Sequence, residues 1–596
     1  MRGFVFSAIA FLALAGTLCA QSSPGNAGQA QSEVTFLEPG KPVERTLQGG
    51  MKHIYAIRAE TGNFIHAIVE LRGIDVALTL YGPDSKPVGS IDENDRFGPE
   101  QISTIAETFG VYRLEVASRD KTVPAGRYRV TLKPLRTPSN QDRAHITAER
   151  MCFEAGQLWQ EGSADSLRIA IQKYLASLPQ WRIAGDRYEE ALAQDSIGEI
   201  YSQLGQKQEA LEYYNEALLV NREAGVRSLE SEILRDMGAV YDFLGEMQKA
   251  LEYYNKALPI QREVGDRSDE AATLDSIGGV YNHLGKKQSA LEYYQQALAI
   301  WREVGAHRGE AGTLNNIGMI YYDLEEKQKA LEYFQQALPI ERAMEDRVEE
   351  AGTLNEFGGV YDSLGEKRKA LDYYHQALAI WRAVGNHPAE AGTLNNIGLA
   401  YDRLGEKQKA LEYYNQALAI WRKVDDRRDE AITLSHIGSV FDKLGEKQKA
   451  LDYYTQSLPL SRAVHDPLSE ASTLVRMMEY WKSLQNPSLA VLFGKQAIDR
   501  FQDLRLNIGG LEKEDQQSFL KSKEDYYREL AELLISAGRL PEAQQVLDLL
   551  KAEEYSEFTQ RRGDTGSATN RVALTSAEDK STKGIRANHG RDYSHR

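Results

Sequence analysis

Two rhythms of apolar residues divide the chain. From about Glu33 to Leu135 the period is two. His53-Ile54-Tyr55-Ala56-Ile57, Phe64-Ile65-His66-Ala67-Ile68-Val69, Val76-Ala77-Leu78-Thr79-Leu80, Val111-Tyr112-Arg113-Leu114-Glu115-Val116 and Tyr128-Arg129-Val130-Thr131-Leu132 are short alternating or β-rich runs. Turn signals such as Glu38-Pro39-Gly40, Gly82-Pro83-Asp84 and Pro124-Ala125-Gly126 separate them. About seven strands in roughly 100 residues predict an antiparallel β-sandwich over residues 33–135. From about Gln141 the turn residues thin out, and helix formers dominate as far as Gln560. The second part is predicted to be all α.

Within the helical part a forty-residue period holds without a slip. Gly198, Gly238, Gly278, Gly318, Gly358, Gly398 and Gly438 mark it, as do Tyr201, Tyr241, Tyr281, Tyr321, Tyr361, Tyr401 and Phe441. Ala210-Leu211 recurs down to Ala450-Leu451, followed each time by an aromatic pair such as Tyr413-Tyr414. Each unit reads as two helices. Leu394, Ile397, Gly398 and Tyr401 share a face of the first, and Leu404-Gly405 closes it. Glycine suits that end because a left-handed residue there is penalised in other L-amino acids. Glu325 replaces it in one repeat, which predicts a distorted or less stable turn. The second helix carries Ala410, Leu411, Tyr414, Ala417, Leu418 and Ile420 inward. Small residues let the helices approach, and the rings fill the remaining space. No single repeat buries its own apolar face, so the units must stack as a solenoid.

The array is predicted to occupy residues 185–464 as seven repeats. A degenerate first repeat over 141–184 keeps Ala170, Tyr174 and Leu178 in phase. Residues 465–560 hold another degenerate copy, with Trp481, Leu484, Ala490 and Ala497 in phase and Met478 in place of the glycine. Asp515 to Tyr555 adds a capping helical pair. Residues 561–596 are polar, with eight basic and four acidic side chains, and read as a disordered tail.

Composition then sharpens this picture. Of 31 tyrosines, 20 lie between Tyr201 and Tyr454, so the excess belongs to the packing of the repeats. A net charge of −16 argues against nucleic acid, whose phosphates need cation density. The sandwich is near neutral and the tail basic, leaving −20 for residues 136–560. At the N-terminus, Arg2 followed by the apolar run Phe4 to Leu18 reads as a signal peptide over 1–20, cut after Ala20. Gln21 to Ser32 is a linker. Lipidation at Cys19 is the alternative, although Gly16-Thr17-Leu18 is a poor lipobox. No other stretch is apolar enough to span a membrane. The expected location is periplasmic or extracellular.

Catalytic signals are absent from the sequence. Eleven histidines fall in no HExxH arrangement, and two cysteines make no metal site. Cys152 reads as a buried apolar residue. Asp92-Glu93-Asn94-Asp95 reads as a polar turn rather than a calcium site, and Arg562-Gly563-Asp564 as a chance triplet. Neither an enzyme nor a cofactor is expected. A helical wheel puts Asn395, Leu399 and Asp402 opposite the packed side, with Asn396 and Arg403 at its edge. Across repeats these positions give Asp275, Asn315, Asn355 and Asn395, and Asp242, Asn282, Asp362, Asp402 and Asp442. Asn both donates and accepts, so it can pair with a ligand backbone of any sequence. The carboxylates would favour a basic segment. A solvated helix face that binds nothing is the bland alternative.

The motif Leu394-x-x-Ile397-Gly398-x-x-Tyr401, with Ala410-x-x-x-Tyr414 and Ala417, resembles the tetratricopeptide signature, and the forty-residue unit is most similar to repeats of kinesin light chains. That resemblance implies a right-handed superhelix that holds partner segments in its concave groove. It points to Asn282, Asn315, Asn355, Asn395, Asn396, Asp242, Asp362, Asp402 and Asp442 as groove residues. The order of signal, sandwich and repeats also resembles the front half of bacterial CHAT proteins, caspase-like peptidases whose sandwich is of the pre-peptidase C-terminal type. No His and Cys dyad follows Gln560, so no catalytic residue carries over. Two readings result: an exported, non-enzymatic protein-binding scaffold, or the recognition part of a CHAT-type system whose catalytic domain is missing or separately encoded. A sugar- or calcium-binding sandwich is a third, by fold analogy alone.

Overall fold

The computed structural model describes residues 34–74, 76–91, 99–118, 125–507, 513–560, 575 and 578. The signal, the linker, Cys19, the Asp92–Asp95 turn and the Arg562-Gly563-Asp564 triplet lie outside them. Nine strands form the first unit: β1 Thr35–Phe36, β2 Val43–Leu47, β3 Lys52–Ala59, β4 Phe64–Arg72, β5 Ala77–Tyr81, β6 Pro87–Ile91, β7 Pro99–Ile105, β8 Gly110–Ala117 and β9 Gly126–Leu132. One sheet runs β1-β3-β8-β5-β6 and the other β2-β9-β4-β7. The five alternating runs of the sequence are β3, β4, β5, β8 and β9. Their inward residues, among them Ile57, Ile65, Val69, Leu78, Leu80, Leu114, Val116, Val130 and Leu132, make one core between the sheets. A single pairing departs from the antiparallel expectation: β1 runs parallel to β3, with Thr35 opposite Tyr55.

Helices follow in pairs: α1 Asn140–Glu161 with α2 Ala164–Ala184, α3 Arg187–Gln203 with α4 Lys207–Ala224, and α5 Arg227–Phe243 with α6 Met247–Val264. Next come α7 Arg267–His283 with α8 Lys287–Val304, and α9 His307–Asp323 with α10 Lys327–Ala343. The array continues with α11 Arg347–Ser363, α12 Lys367–Val384, α13 His387–Leu404, α14 Lys407–Val424, α15 Arg427–Lys443 and α16 Lys447–Ala463. It ends with α17 Pro467–Ser483, α18 Pro487–Asn507, α19 Lys513–Ser536 and α20 Leu540–Gln560. The seven clean repeats are α3 to α16.

Within each repeat the two helices meet at the periodic glycine. A Cβ built on Gly358 would lie 2.4 Å from the Tyr374 ring, and one on Gly398 would lie 2.7 Å from Tyr414. The same glycine meets an aromatic ring in all seven, from Gly198 on Tyr214 to Gly438 on Tyr454, with Phe334 facing Gly318. Any side chain there displaces the ring. One ring from each helix stacks beside this contact: Tyr201 on Tyr213, Tyr361 on Tyr373 and Phe441 on Tyr453 lie 5.4, 5.4 and 5.5 Å apart. Lysines such as Lys329 and Lys409 cover Tyr321 and Tyr401 at 4.9 and 5.0 Å.

The Glu325 turn is not distorted. Its φ is +60°, and its N–H reaches Tyr322 O at 3.0 Å while Glu326 N–H reaches Tyr321 O at 2.8 Å. The glycine turn at Gly365 makes the same two bonds at 3.0 and 2.9 Å. Neighbouring repeats impose the geometry, and the side chain bears the left-handed cost of about 1–2 kcal/mol.

The sandwich rests on the first helices. Ser103 N–H donates to Glu149 Oε1 at 3.0 Å, and Gln101 Nε2 donates to Asp186 Oδ2 at 3.3 Å. A relay of rings crosses the junction, His66 to His145 at 5.1 Å and His145 to Trp181 at 4.9 Å. At the far end, Glu578 of the expected tail touches the array, and Thr575 N–H donates to its carboxylate at 2.7 Å. Glu578 accepts from Arg539 Nη1 at 2.8 Å and from Lys495 Nζ at 3.1 Å, and Lys495 is fully buried.

Two outcomes follow from this packing. Gly358→Ala should destabilise the array by about 1–3 kcal/mol, as overpacking does, read as a lower urea midpoint. The junction should also weaken in acid. Burial lowers His66 to about 3 and lowers His145 as well. Lys133 and Arg136 act with burial on His66, while Asp142 opposes it; Asp186 and Asp142 oppose it at His145. Because the folded values are depressed, the stabilisation is complete above about pH 6.5 and is lost as pH falls toward the folded values. Limited proteolysis of the 133–139 connection should accelerate between pH 7.5 and 5, and His66→Phe/His145→Phe should flatten that dependence.

Candidate interaction groove

Each first helix of a repeat approaches the first helix of the next, as α11 does α13 and α13 does α15, so these helices form the inner, concave side. The expected groove residues lie there in two separate rows.

The first row bonds from repeat to repeat. Thr313 Oγ1 donates to Asp275 Oδ1 at 2.7 Å, and Asn316 Nδ2 reaches Asp275 Oδ2 at 3.3 Å. Asn355 Oδ1 receives Thr393 Oγ1 and Asn396 Nδ2, both at 3.3 Å. Asn395 Oδ1 lies 3.4 Å from both Thr433 Oγ1 and His436 Nδ1. Asn315 turns instead to Glu341 Oε1 and Thr353 Oγ1, each at 2.8 Å. These side chains therefore hold neighbouring repeats in register. The sequence reading missed their threonine partners, although Thr273, Thr313, Thr353, Thr393, Thr433 and Thr473 repeat every forty residues.

The second row lies at the other end of the same helices and is built on ion pairs. Asp402 is buried and accepts from Lys407 Nζ and Lys443 Nζ, both at 2.6 Å. Burial alone would raise its carboxyl, but the two lysines hold it below the usual carboxylate range. Asp442 pairs with Lys447, Asp362 with Arg403, and Asn282 accepts from Lys287 at 2.6 Å. Asp242 faces His283 Nδ1 at 3.3 Å. The lysines also neutralise helix C-terminal carbonyls, Lys407 at Asp402 O and Lys367 at Arg403 O, where a cation is favoured. A third ladder, of Arg and buried Glu, was not foreseen either: Arg262 to Glu270, Arg342 to Glu350 and Arg422 to Glu430 at 2.7, 2.8 and 2.7 Å.

The pattern breaks in the first repeats. Asp195 and Asp236 occupy the positions that Asn355 and Asn396 hold farther along, so two carboxyl groups stand where a donor and an acceptor belong. Asp195 Oδ1 is buried without a hydrogen-bond partner, and burial with the Asp236 charge pushes its carboxyl well up. Glu199, open to the groove but crowded by the same helices, rises to about 7 for the same reasons.

A cavity of about 450 Å3 opens over α11, α13 and α15. It brings together Asn355, Asn395 and Asn396 between the rings of Trp381 and Trp421. Asn282, Asn315, Asp242, Asp362, Asp402 and Asp442 are not on it. Among the described residues no group of three or more His, Cys, Asp or Glu is placed to hold a metal ion, and no helix is long and apolar enough to cross a membrane. Cys152 is half-buried, with its thiol 3.4 Å from Ser177 Oγ.

Residues 198–263, 229–303, 269–343, 349–423 and 408–463 match the family described as tetratricopeptide repeat, so the array is built of these repeats. No curated protein matches the chain. Among solved structures, a signal transduction ATPase with a tetratricopeptide repeat sensor from Pyrococcus horikoshii is 16% identical over 61% of this chain, with a TM-score of 0.46. This chain spans about half of that protein, 53% of its length. Aspartyl phosphate phosphatase F from Bacillus subtilis is 16% identical over 65% of this chain and 96% of its own, TM-score 0.39. A kinesin light chain repeat protein from Podospora anserina is 21% identical over 32% of this chain and 94% of its own, TM-score 0.29.

Removing the partners of Asp402 tests whether this row is structural. Lys407→Met/Lys443→Met should cost about 2 kcal/mol at pH 7, the scale of hydrogen bonds to a charged group. Asp402 is depressed, so its contribution is present above the ordinary value near 4 and is lost as pH falls through the folded value. Urea midpoints of variant and wild type should converge as pH drops below about 4.

Proposed function

We propose that the protein is an exported, non-enzymatic scaffold whose tetratricopeptide array holds a segment of a partner protein along its concave side. The observation that carries the binding reading is the cavity over α11, α13 and α15, where three asparagine side chains meet two tryptophan rings. Asn395 Nδ2 and Asn396 Oδ1, the amide atoms not used in the ladder, suit main-chain hydrogen bonding, and the rings offer apolar contact. Export is supported by Arg2 and the apolar run Phe4 to Leu18. Most of the acidic side chains in the second row are neutralised by cations of the array, so recognition by general negative charge is not part of this reading.

A photo-crosslinking amino acid at Ile432, which lines the cavity, tests it against the same residue at Glu412, exposed on α14. The expected outcome in living cells is a discrete adduct from position 432 and none from 412. Identical adducts from both, or none from either, overturn groove binding. Fractionation of the same cells tests export separately: deletion of residues 2–20 should hold the protein inside the cell.

A further inference from the structure

Three glycines occupy the same place in consecutive repeats, Gly312 of α9, Gly352 of α11 and Gly392 of α13. Each lies inside a first helix, where glycine weakens the helix relative to alanine. They are not the glycines of the aromatic contact. A Cβ built on any of the three meets nothing within 4 Å. Packing therefore gives no reason for them, and the other repeats carry Leu192, Glu232, Ala272, Ile432 and Ser472 at this place. Gly352 and Gly392 line the cavity. Glycine there lets another backbone come close.

Trp421 places a hydrogen-bond donor at the same cavity. The residue is 4% exposed and lines the cavity, and its Nε1 is buried with no hydrogen-bond partner, as are those of Trp181, Trp301 and Trp481, which do not line it. Buried indole N–H groups ordinarily find an acceptor. The charged residues on the cavity wall are Glu356 and Asp429, both acidic, and no basic side chain lines it. Aromatic faces beside carboxyl groups make a favourable surround for a cation.

We propose that this cavity is the subsite for one lysine or arginine side chain of an extended protein segment, whose main chain passes against Gly352 and Gly392 and offers a carbonyl oxygen to Trp421 Nε1. This rests on the groove reading above and adds the chemistry of the residue held there. Binding is coupled to protons. Burial raises Glu356 to about 7, with Asn355 donating to it and Asp323 of α9 adding to the rise. Tyr374 of α12 also faces it, and α13 contributes the uncharged Asn395 and Asn396. Burial raises Asp429 too, beside Asp426, Arg428 and Asp466. A bound cation favours the carboxylate, so affinity increases from pH 6 to pH 8 and a proton is released.

The test is selection of a phage-displayed random decapeptide library on the full chain, followed by affinity measurements on the synthetic winners. Lysine or arginine should be enriched at one register. Gly352→Ala/Gly392→Ala should weaken binding at least tenfold while raising the melting temperature, which separates the loss from misfolding. Glu356→Gln should weaken binding and remove its pH dependence. Winners without a basic residue, affinity unchanged by the glycine substitutions, or a lowered melting temperature in that variant each overturn the subsite. Winners without a basic residue that still compete with the Ile432 adduct leave the groove reading standing, whereas a library with no binder overturns both.

Discussion

The width of one methyl group governs this molecule. Gly358 and its six counterparts bring the two helices of a repeat together until the backbone of one touches an aromatic ring of the other. That approach fixes the spacing within a repeat, and the other features of the unit accommodate it. The neighbouring ring pair stacks because the helices are already close, and lysine ammonium groups cover the outer ring. The tyrosine-rich composition is the chemical signature of this contact and of the stacked pair beside it, repeated along the chain.

One repeat joins the next through a shared apolar core, as where Tyr214 packs with Ile233 and Met237, and through bonds of another kind added to it. Between repeats the array uses directional polar contacts: amide to threonine, lysine to aspartate, arginine to buried glutamate. Apolar stacking alone would tolerate sliding, whereas these bonds admit one register. A consequence is that the concave side is partly structural. Asp402 and Asp442 face the groove in a wheel projection but are held by lysines of the array. The unassigned chemistry is concentrated where the ladders give way, at the cavity of α11, α13 and α15.

The repeat was legible because every residue that sets it recurs at a fixed spacing, and periodicity survives without knowledge of contacts. Strands with strict alternation were legible for the same reason. The two residues of β1, and the polar β6 and β7, carry no such signal; their pairing partners define them. At the groove, the wheel put Asn355, Asn395 and Asp402 on one helix face, away from the packed side, but said nothing of what lies 38 or 41 residues away, and Asp402 is buried. Thr393 and Lys443, which occupy them, are visible only when repeats are stacked in space. At Glu325 the expected distortion is absent because hydrogen bonds inherited from the fold outweigh one residue's backbone preference, while the left-handed cost remains with the side chain.

That turn has a mechanical meaning. Glu325 and Glu345 both sit at positive φ, at +60° and +56°, so the two turns bracketing α10 carry side chains where glycine would be relaxed. The same helix holds Glu341, buried where Trp301 and Trp381 stand in other repeats, with its carboxyl raised by burial. His465 and Gln485, at +53° and +57°, bracket α17 in the same way, so this left-handed cost falls at both ends of the repeats that form the cavity, and local opening is less costly there than at the glycine turns.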